Sequence, residues 1–248
     1  MKKVSKLVMG LLVTVGVFSG SAVYATCSDV SYTTLQSAAD TVQSLGTTTT
    51  GGFGLSMWVT MVDETGKVCH VVTSGTKGAA AGNSEWLGSR VISAQKANTA
   101  NAFSLDGVSI SSGALYAAVQ PGGSLFGLQH SNPVDASQAY QGSPHKYGTH
   151  HDPLVGKRIG GVNVFGGGIA LYNSSGVKVG AIGVSGDTSC TDHAFAWEVR
   201  DTLGLAAGSP GGFEALDLGT TFTALGDHPN CTSDSVLNDV AGLGFANN

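Results

Sequence analysis

Hydrophobic and polar positions alternate along two separate parts of the chain, and a helical pattern follows each part. The alternation forms four strand-like runs, joined in pairs by short polar turns: 55–62 with 67–73, and 168–172 with 177–184. Strands joined by such short turns can only pair antiparallel. The sequence therefore predicts two β-hairpins.

Apolar residues recur at steps of three and four in three further stretches, as on one face of a helix. The stretches are 29–45, about 84–104 and 191–203, and Thr191 is the predicted N-cap of the last one. Each hairpin is thus followed by a helix. We predict an α+β fold in which helices flank one antiparallel β-sheet, built from two hairpin–helix units. The long polar loop within 105–160 is typical of a binding or covering segment.

The first 25 residues have the pattern of a secretory signal peptide. Lys2, Lys3 and Lys6 precede an apolar run at 7–18, and small residues precede a cleavage position after Ala25. A membrane anchor is the alternative, but the run is shorter than the roughly 20 residues that span a bilayer. We therefore expect a periplasmic or extracellular protein that is not embedded in the membrane.

The chain has few charged residues, and three of its basic residues lie in the predicted signal peptide. The chain has 12 Lys and Arg against 17 Asp and Glu, and 37 glycines among 248 residues. Residues 26–248 keep nine of the basic groups and all 17 acidic ones, so their formal net charge is −8. No basic surface remains to displace counterions from phosphates, which excludes a non-specific nucleic-acid binder.

Four cysteines follow the predicted cleavage position, and in an oxidising compartment an even number indicates disulfides. Three pairings are possible. We favour Cys27–Cys69 and Cys190–Cys231, because each bond would tie a terminal segment onto the body of the fold. A zinc site is the alternative, although no CxxC pair is present and the spacings are wide.

Three motifs resemble the GlcG/HbpS-type haem-binding family, which includes the C-terminal domain of PduO-like proteins. They are the hairpin sequence VDETGKV at 62–68, the helix ISAQKANTA at 92–100, and GGI at 167–169 with VGAIGVSG at 179–186, followed by Asp192. The resemblance implies an αβα sandwich that forms homo-oligomers and binds haem, which some members degrade or sense. We expect this domain at 26–203 and a Gly-rich extension packed on it at 204–248.

The candidate haem-binding residues are histidines and the groups beside them, because haem iron commonly takes an axial His. The set is His70, His145, Tyr147, His150, His151, Arg158, Asp192 and His193, with His150, His151 and His193 as candidate metal ligands. Lys146, Lys157 and Arg158 are candidate partners of the propionates. Each position also has a plain structural interpretation: a solvated loop, a hydrogen-bonded strand histidine, or a helix terminus with an acidic residue.

We therefore expect an exported protein that binds haem or a related tetrapyrrole non-covalently, since no CxxCH motif is present. A secreted structural or interaction module that keeps the fold without a cofactor is the alternative. Neither a G-x-S-x-G elbow nor a phosphate loop occurs, so a hydrolase and a nucleotide enzyme are disfavoured. No catalytic residue is predicted, and haem degradation rests on the family resemblance alone.

Overall fold

A computed structural model describes residues 27–75, 86, 88–219, 221–231 and 244. Its α-helices are α1 (Tyr32–Leu45), α2 (Thr47–Thr50), α3 (Ser89–Phe103), α4 (Leu128–Ser131), α5 (Ala136–Ala139) and α6 (Ser189–Thr202). Its strands are β1 (Trp58–Asp63), β2 (Val68–Thr73), β3 (Ser109–Ile110), β4 (Gly168–Tyr172), β5 (Lys178–Ser185), β6 (Gly212–Phe213), β7 (Asp217–Gly219) and β8 (Asp227–Pro229). Short 3₁₀ turns lie at Gly113–Leu115, Ala117–Val119 and Pro144–Lys146. The predicted signal peptide lies outside the described residues.

The two hairpins join into one four-stranded sheet in the order β2-β1-β5-β4. Every neighbouring pair is antiparallel, and Met61 of β1 lies opposite His70 of β2 and Ile182 of β5. The central pair thus comes from two hairpins that are far apart in the chain. The predicted α+β class with an antiparallel sheet is confirmed.

Helices cover both faces of this sheet. The helices α1 and α6 pack on one face, in a core that includes Leu35, Met61, Ile182 and Phe195. On the other face, α3 packs through its alanines against a second core that includes Val62 and Val71. The result is a three-layer αβα sandwich, and its two cores stabilise the fold through the apolar surface that they bury.

Two glycines let α3 lie unusually close to the sheet. A Cβ at Gly183 of β5 would collide with the carbonyl of Ser93 and the backbone nitrogen of Ala97. A Cβ at Gly168 of β4 would meet the carbonyl of Lys96 in the same way. Backbone therefore packs directly on backbone at this crossing, which explains glycine in strands where it otherwise weakens pairing.

The N-cap of α6 lies three residues before the predicted one. Thr188 is the N-cap, and its side chain accepts a hydrogen bond from the backbone N–H of Thr191. The prediction of Thr191 as the cap is wrong, because Thr191 already lies in the first turn and is buried. Asp187 lies in the loop before α6. Its carboxylate fixes this loop by accepting hydrogen bonds from the backbone N–H groups of Phe53 and Leu55.

The segment 105–160 is folded onto the sandwich. Ala139 and Leu154 are fully buried in the core beneath α3. Residues 156–157 run along the outer edge of β2, where the N–H of Val68 donates to the carbonyl of Lys157 and the N–H of Gly156 donates to the carbonyl of Val68, both at 2.8 Å. Short helices and backbone pairing thus replace the irregular loop that the polar composition predicted.

Disulfides join Cys27 to Cys69 and Cys190 to Cys231, which is the pairing favoured from the sequence. The first links the segment before α1 to β2, and the second links the C-terminal segment to the first turn of α6. Among the described residues, no helix has the length and hydropathy that crossing a bilayer requires.

Candidate functional site

Three rings from different elements meet at the β2 edge of the sheet: Tyr32 of α1, His70 of β2 and His150. The ring centroids of Tyr32 and His150 lie 3.7 Å apart at an interplanar angle of 35°. His70 stands edge-on to Tyr32 at 6.3 Å. The hydroxyl of Tyr32 donates to the carbonyl of Gly148 at 2.7 Å, which holds the segment that carries His150. We call Tyr32, His70 and His150 the histidine patch.

Within this patch, His70 has a fixed hydrogen-bonding role. Its Nε2 lies 2.8 Å from the carbonyl of Val30, to which it donates. Burial lowers the pKa of His70, against the opposing effect of the backbone at Val30 and Cys27. The imidazole of His70 is therefore uncharged at neutral pH, and its Nε2 is hydrogen-bonded to the backbone.

His150, by contrast, is exposed, as are His145 and His151 on the same segment. Their positions are held by a buried ion pair beneath them, in which the guanidinium of Arg90 binds both carboxylate oxygens of Asp152. Asp152 also accepts hydrogen bonds from the backbone N–H of Gly148 and Leu154. Three exposed imidazoles thus lie on a segment that this ion pair and these hydrogen bonds hold against α3.

The candidates Tyr147 and Arg158 make intramolecular contacts. The guanidinium of Arg90 lies 3.6 Å from the centroid of the Tyr147 ring. Arg158 is exposed, and it donates to the carbonyl and the hydroxyl of Thr65 in the first hairpin turn, at 3.0 and 2.6 Å. The pairing of Arg90 with Asp152 was not predicted from the sequence. The charged side chain of Arg90 on the apolar face of α3 could have indicated a buried partner.

Asp192 lies elsewhere, at the start of α6 against β4 and β5. It is buried and forms an ion pair of 2.7 Å with Lys96 of α3. Lys96 also donates to the carbonyl of Val184, and Asp192 accepts from the backbone N–H of Asp187. Burial raises the pKa of Asp192 to about 6 and lowers the pKa of Lys96, while the pairing opposes both shifts.

His193 is fully buried beside this pair. Its neighbour His228 was not among the site residues predicted from the sequence. The Nε2 of His193 lies 3.1 Å from the carbonyl of Gly244, and burial lowers the pKa of His193 to about 3. Burial likewise lowers the pKa of His228 to about 4. The ring of Tyr116 lies 5.5 Å from that of His228. Both imidazoles are therefore neutral at pH 7.

The predicted site residues thus fall into two groups. His70, His145, Tyr147, His150, His151 and Arg158 belong to β2 and the segments folded against it, whereas Asp192 and His193 belong to the first turn of α6. Because β2 and β4 are the two outer strands, these groups lie toward opposite edges of the sheet. In the first group His145, His150, His151 and Arg158 are exposed, whereas both members of the second group are buried.

Comparison with known proteins identifies the family. The family model described as haem degrading protein HbpS-like matches residues 33–200, so the resemblance found in the sequence is confirmed. Klebsiella pneumoniae protein ORFY is 21% identical with a TM-score of 0.48, over 79% of this chain and 98% of that one. The PduOC:heme complex is 24% identical with a TM-score of 0.45, over 73% and 95% of the two chains. No curated protein matches this chain.

Proposed function

We propose that this chain, which belongs to the HbpS-like haem-degrading family, binds haem non-covalently with His150 or His151 as the axial ligand. The observation that carries the proposal is the exposed imidazole of His150, stacked on a tyrosine that is itself hydrogen-bonded in place. A bound haem would supply a redox-active iron, and the protein would supply the nitrogen ligand and the surface around it.

The donor set along this edge of the sheet fits a haem. Imidazole nitrogen is an ordinary axial ligand. The ring of Tyr32 packs against that of His150, and its hydroxyl holds the segment that carries this histidine. Lys146, Lys157 and Arg158 are exposed on the same segment and supply positive charge for the propionates. His145 is exposed on the same segment as well.

We place the haem here and not at Asp192 and His193, because a porphyrin cannot reach a fully buried imidazole. The Nε2 of His193 is engaged with the carbonyl of Gly244, and Asp192 is engaged with Lys96. For haem to bind there, the contacts around Gly244 would have to open. The exposed group requires no such rearrangement.

Titration of the purified protein with hemin, followed by the Soret absorption, tests the function and the site separately. We expect a saturable shift with the wild-type protein and at least about tenfold weaker binding with His150→Ala/His151→Ala. His130→Ala is the matched control, since His130 is also exposed but lies in α4. No saturable shift with the wild type would contradict haem binding and favour a structural module. Equal affinity in the double variant would contradict only the site.

We also propose that the protein is exported and cleaved after Ala25. The support is the N-terminal sequence pattern together with two disulfides, which form and persist in oxidising compartments. Mass spectrometry of protein from the periplasm or medium should find a chain that starts at Thr26. A protein that stays in the cytoplasm with its first residues intact would contradict the proposal.

A further inference from the structure

The disulfide near the start of α6 has a nitrogen ligand beside it. The sulfurs of Cys190 and Cys231 and a ring nitrogen of His228 all lie within 4.8 Å of one another. Two thiolates and an imidazole are a donor set that zinc prefers. While the disulfide is intact its sulfurs cannot act as thiolates, so reduction is what would expose the donor set.

The surroundings of Cys231 favour a thiolate after reduction. Its sulfur accepts the backbone N–H of Cys190 at 3.2 Å and lies 3.3 Å from the hydroxyl of Ser189. Both residues are in the first turn of α6, a helix of 14 residues. The N–H groups and dipole at a helix N-terminus stabilise the negative charge of a thiolate.

The imidazole of His228 has one ring nitrogen that is free of hydrogen bonds among the described residues. The side chain is fully buried, and its Nδ1 donates to the carbonyl of Pro229 at 2.9 Å. The lone pair of the neutral ring is therefore on Nε2, which has no hydrogen-bond partner within the part of the chain that the structure describes. A backbone carbonyl that orients the other ring nitrogen is the usual arrangement behind a metal-binding histidine.

The other disulfide, Cys27–Cys69, lies in the opposite electrostatic environment. The sulfur of Cys27 is 3.7 Å from a carboxylate oxygen of Asp63, which disfavours a thiolate there. Because a disulfide becomes easier to reduce when its reduced form is stabilised, Cys190–Cys231 should open before Cys27–Cys69. The ease of reduction of the two disulfides can therefore be compared within one chain.

We propose that Cys190, Cys231 and His228 form a redox-gated site for Zn²⁺. A thiol or phosphine reductant supplies two electrons, the S–S bond breaks, and two protons complete the two thiols. Binding of Zn²⁺ then releases those two protons and forms two zinc–thiolate bonds and one zinc–imidazole bond. Three protein ligands leave a fourth position for water. The site involves neither the histidine patch nor haem, so it stands independently of the proposed function.

Cobalt is the probe for this site, because Co²⁺ bound to thiolates absorbs strongly. The purified protein is reduced with a phosphine under anaerobic conditions and titrated with Co²⁺. We expect one Co²⁺ per chain with a thiolate charge-transfer band, loss of the band when Zn²⁺ is added, and no band from the oxidised protein. His228→Ala should weaken Co²⁺ binding at least about tenfold, and Cys190→Ser/Cys231→Ser should remove most of the band.

Cys27→Ser/Cys69→Ser is the matched control and should keep the band. A reduced wild-type protein without a thiolate band overturns the proposal. So does a band of undiminished strength in Cys190→Ser/Cys231→Ser, because it would then come from the other group of possible ligands, Cys27, Asp63 and Cys69. Limited reduction of the wild type followed by alkylation and peptide mass mapping tests the same idea without any variant. Alkylation of Cys190 and Cys231 first is the expected result, and alkylation of Cys27 and Cys69 first counts against it.

Discussion

At the scale of single residues, the buried ion pair between Lys96 and Asp192 gives the sharpest prediction. Lys96→Met leaves the Asp192 carboxylate buried without its cation, and loss of one member of such a pair costs about 3–5 kcal/mol. The double variant Lys96→Met/Asp192→Leu should be more stable than Lys96→Met, because it buries no charge. Urea unfolding followed by circular dichroism measures both free energies of unfolding.

Lys157→Met is the control for this experiment, because Lys157 is exposed and a surface substitution changes stability by at most about 0.5 kcal/mol. A Lys96→Met protein as stable as the wild type would show that the pair contributes nothing.

The sequence motifs contained both Lys96 and Asp192, but the pairing was not predictable. It depends on how α3 and α6 cross the sheet from opposite faces, and local periodicity carries no such information.

At the scale of elements, the close packing of α3 on the sheet rests on Gly183. Gly183→Ala would push a methyl group into the backbone of Ser93 and Ala97, so α3 must move away. Overpacking of this kind costs about 1–3 kcal/mol. Gly107→Ala is the matched control, since no atom lies within 4 Å of the added carbon. Equal urea midpoints for the two variants would contradict the close approach.

The elements themselves were largely predictable. Alternation located the four main strands within about three residues, and the helical stripe of Leu35, Ala39 and Val42 is buried as expected. The start of α6 and the short helices within 105–160 were not predictable from the sequence. Helices of four residues complete too few turns to show a period, and the choice between Thr188 and Thr191 as N-cap depends on backbone geometry.

At the scale of the whole molecule, the buried histidines predict acid sensitivity. The folded pKa values of His193 and His228, about 3 and about 4, lie below the ordinary 6.5, so the unfolded chain binds protons first as the pH falls. Asp192 acts in the opposite sense, because its folded pKa of about 6 lies above the ordinary value of 3.8. The two histidines lower the stability as the pH falls and Asp192 raises it, so these three groups alone contribute a net fall of about 1.4 kcal/mol per pH unit between pH 6 and 4.5. The lowered pKa of His70 acts in the same direction as the two histidines.

Free energies of unfolding from urea titrations across pH 4.5–7.5 measure this slope. His228→Asn should remove about 1.4 kcal/mol per pH unit from the slope in that window, because one of the two proton-binding differences is lost. His130→Asn replaces an exposed histidine and should leave it unchanged. A slope that is the same in all three proteins would show that His228 titrates normally in the folded state.

Each outer strand of the sheet makes some backbone hydrogen bonds on its free side. Residues 156–157 bond to β2, and on β4 the carbonyl of Gly168 accepts from the N–H of Ser112 while the N–H of Tyr172 donates to Leu205. A strand edge with free N–H and carbonyl groups is a template on which another chain can add. Here part of that template is occupied on each outer strand, which disfavours polymerisation by continuation of the sheet. We therefore expect the homo-oligomer implied by the family resemblance to use the outer surfaces of the helices and the segments folded over them.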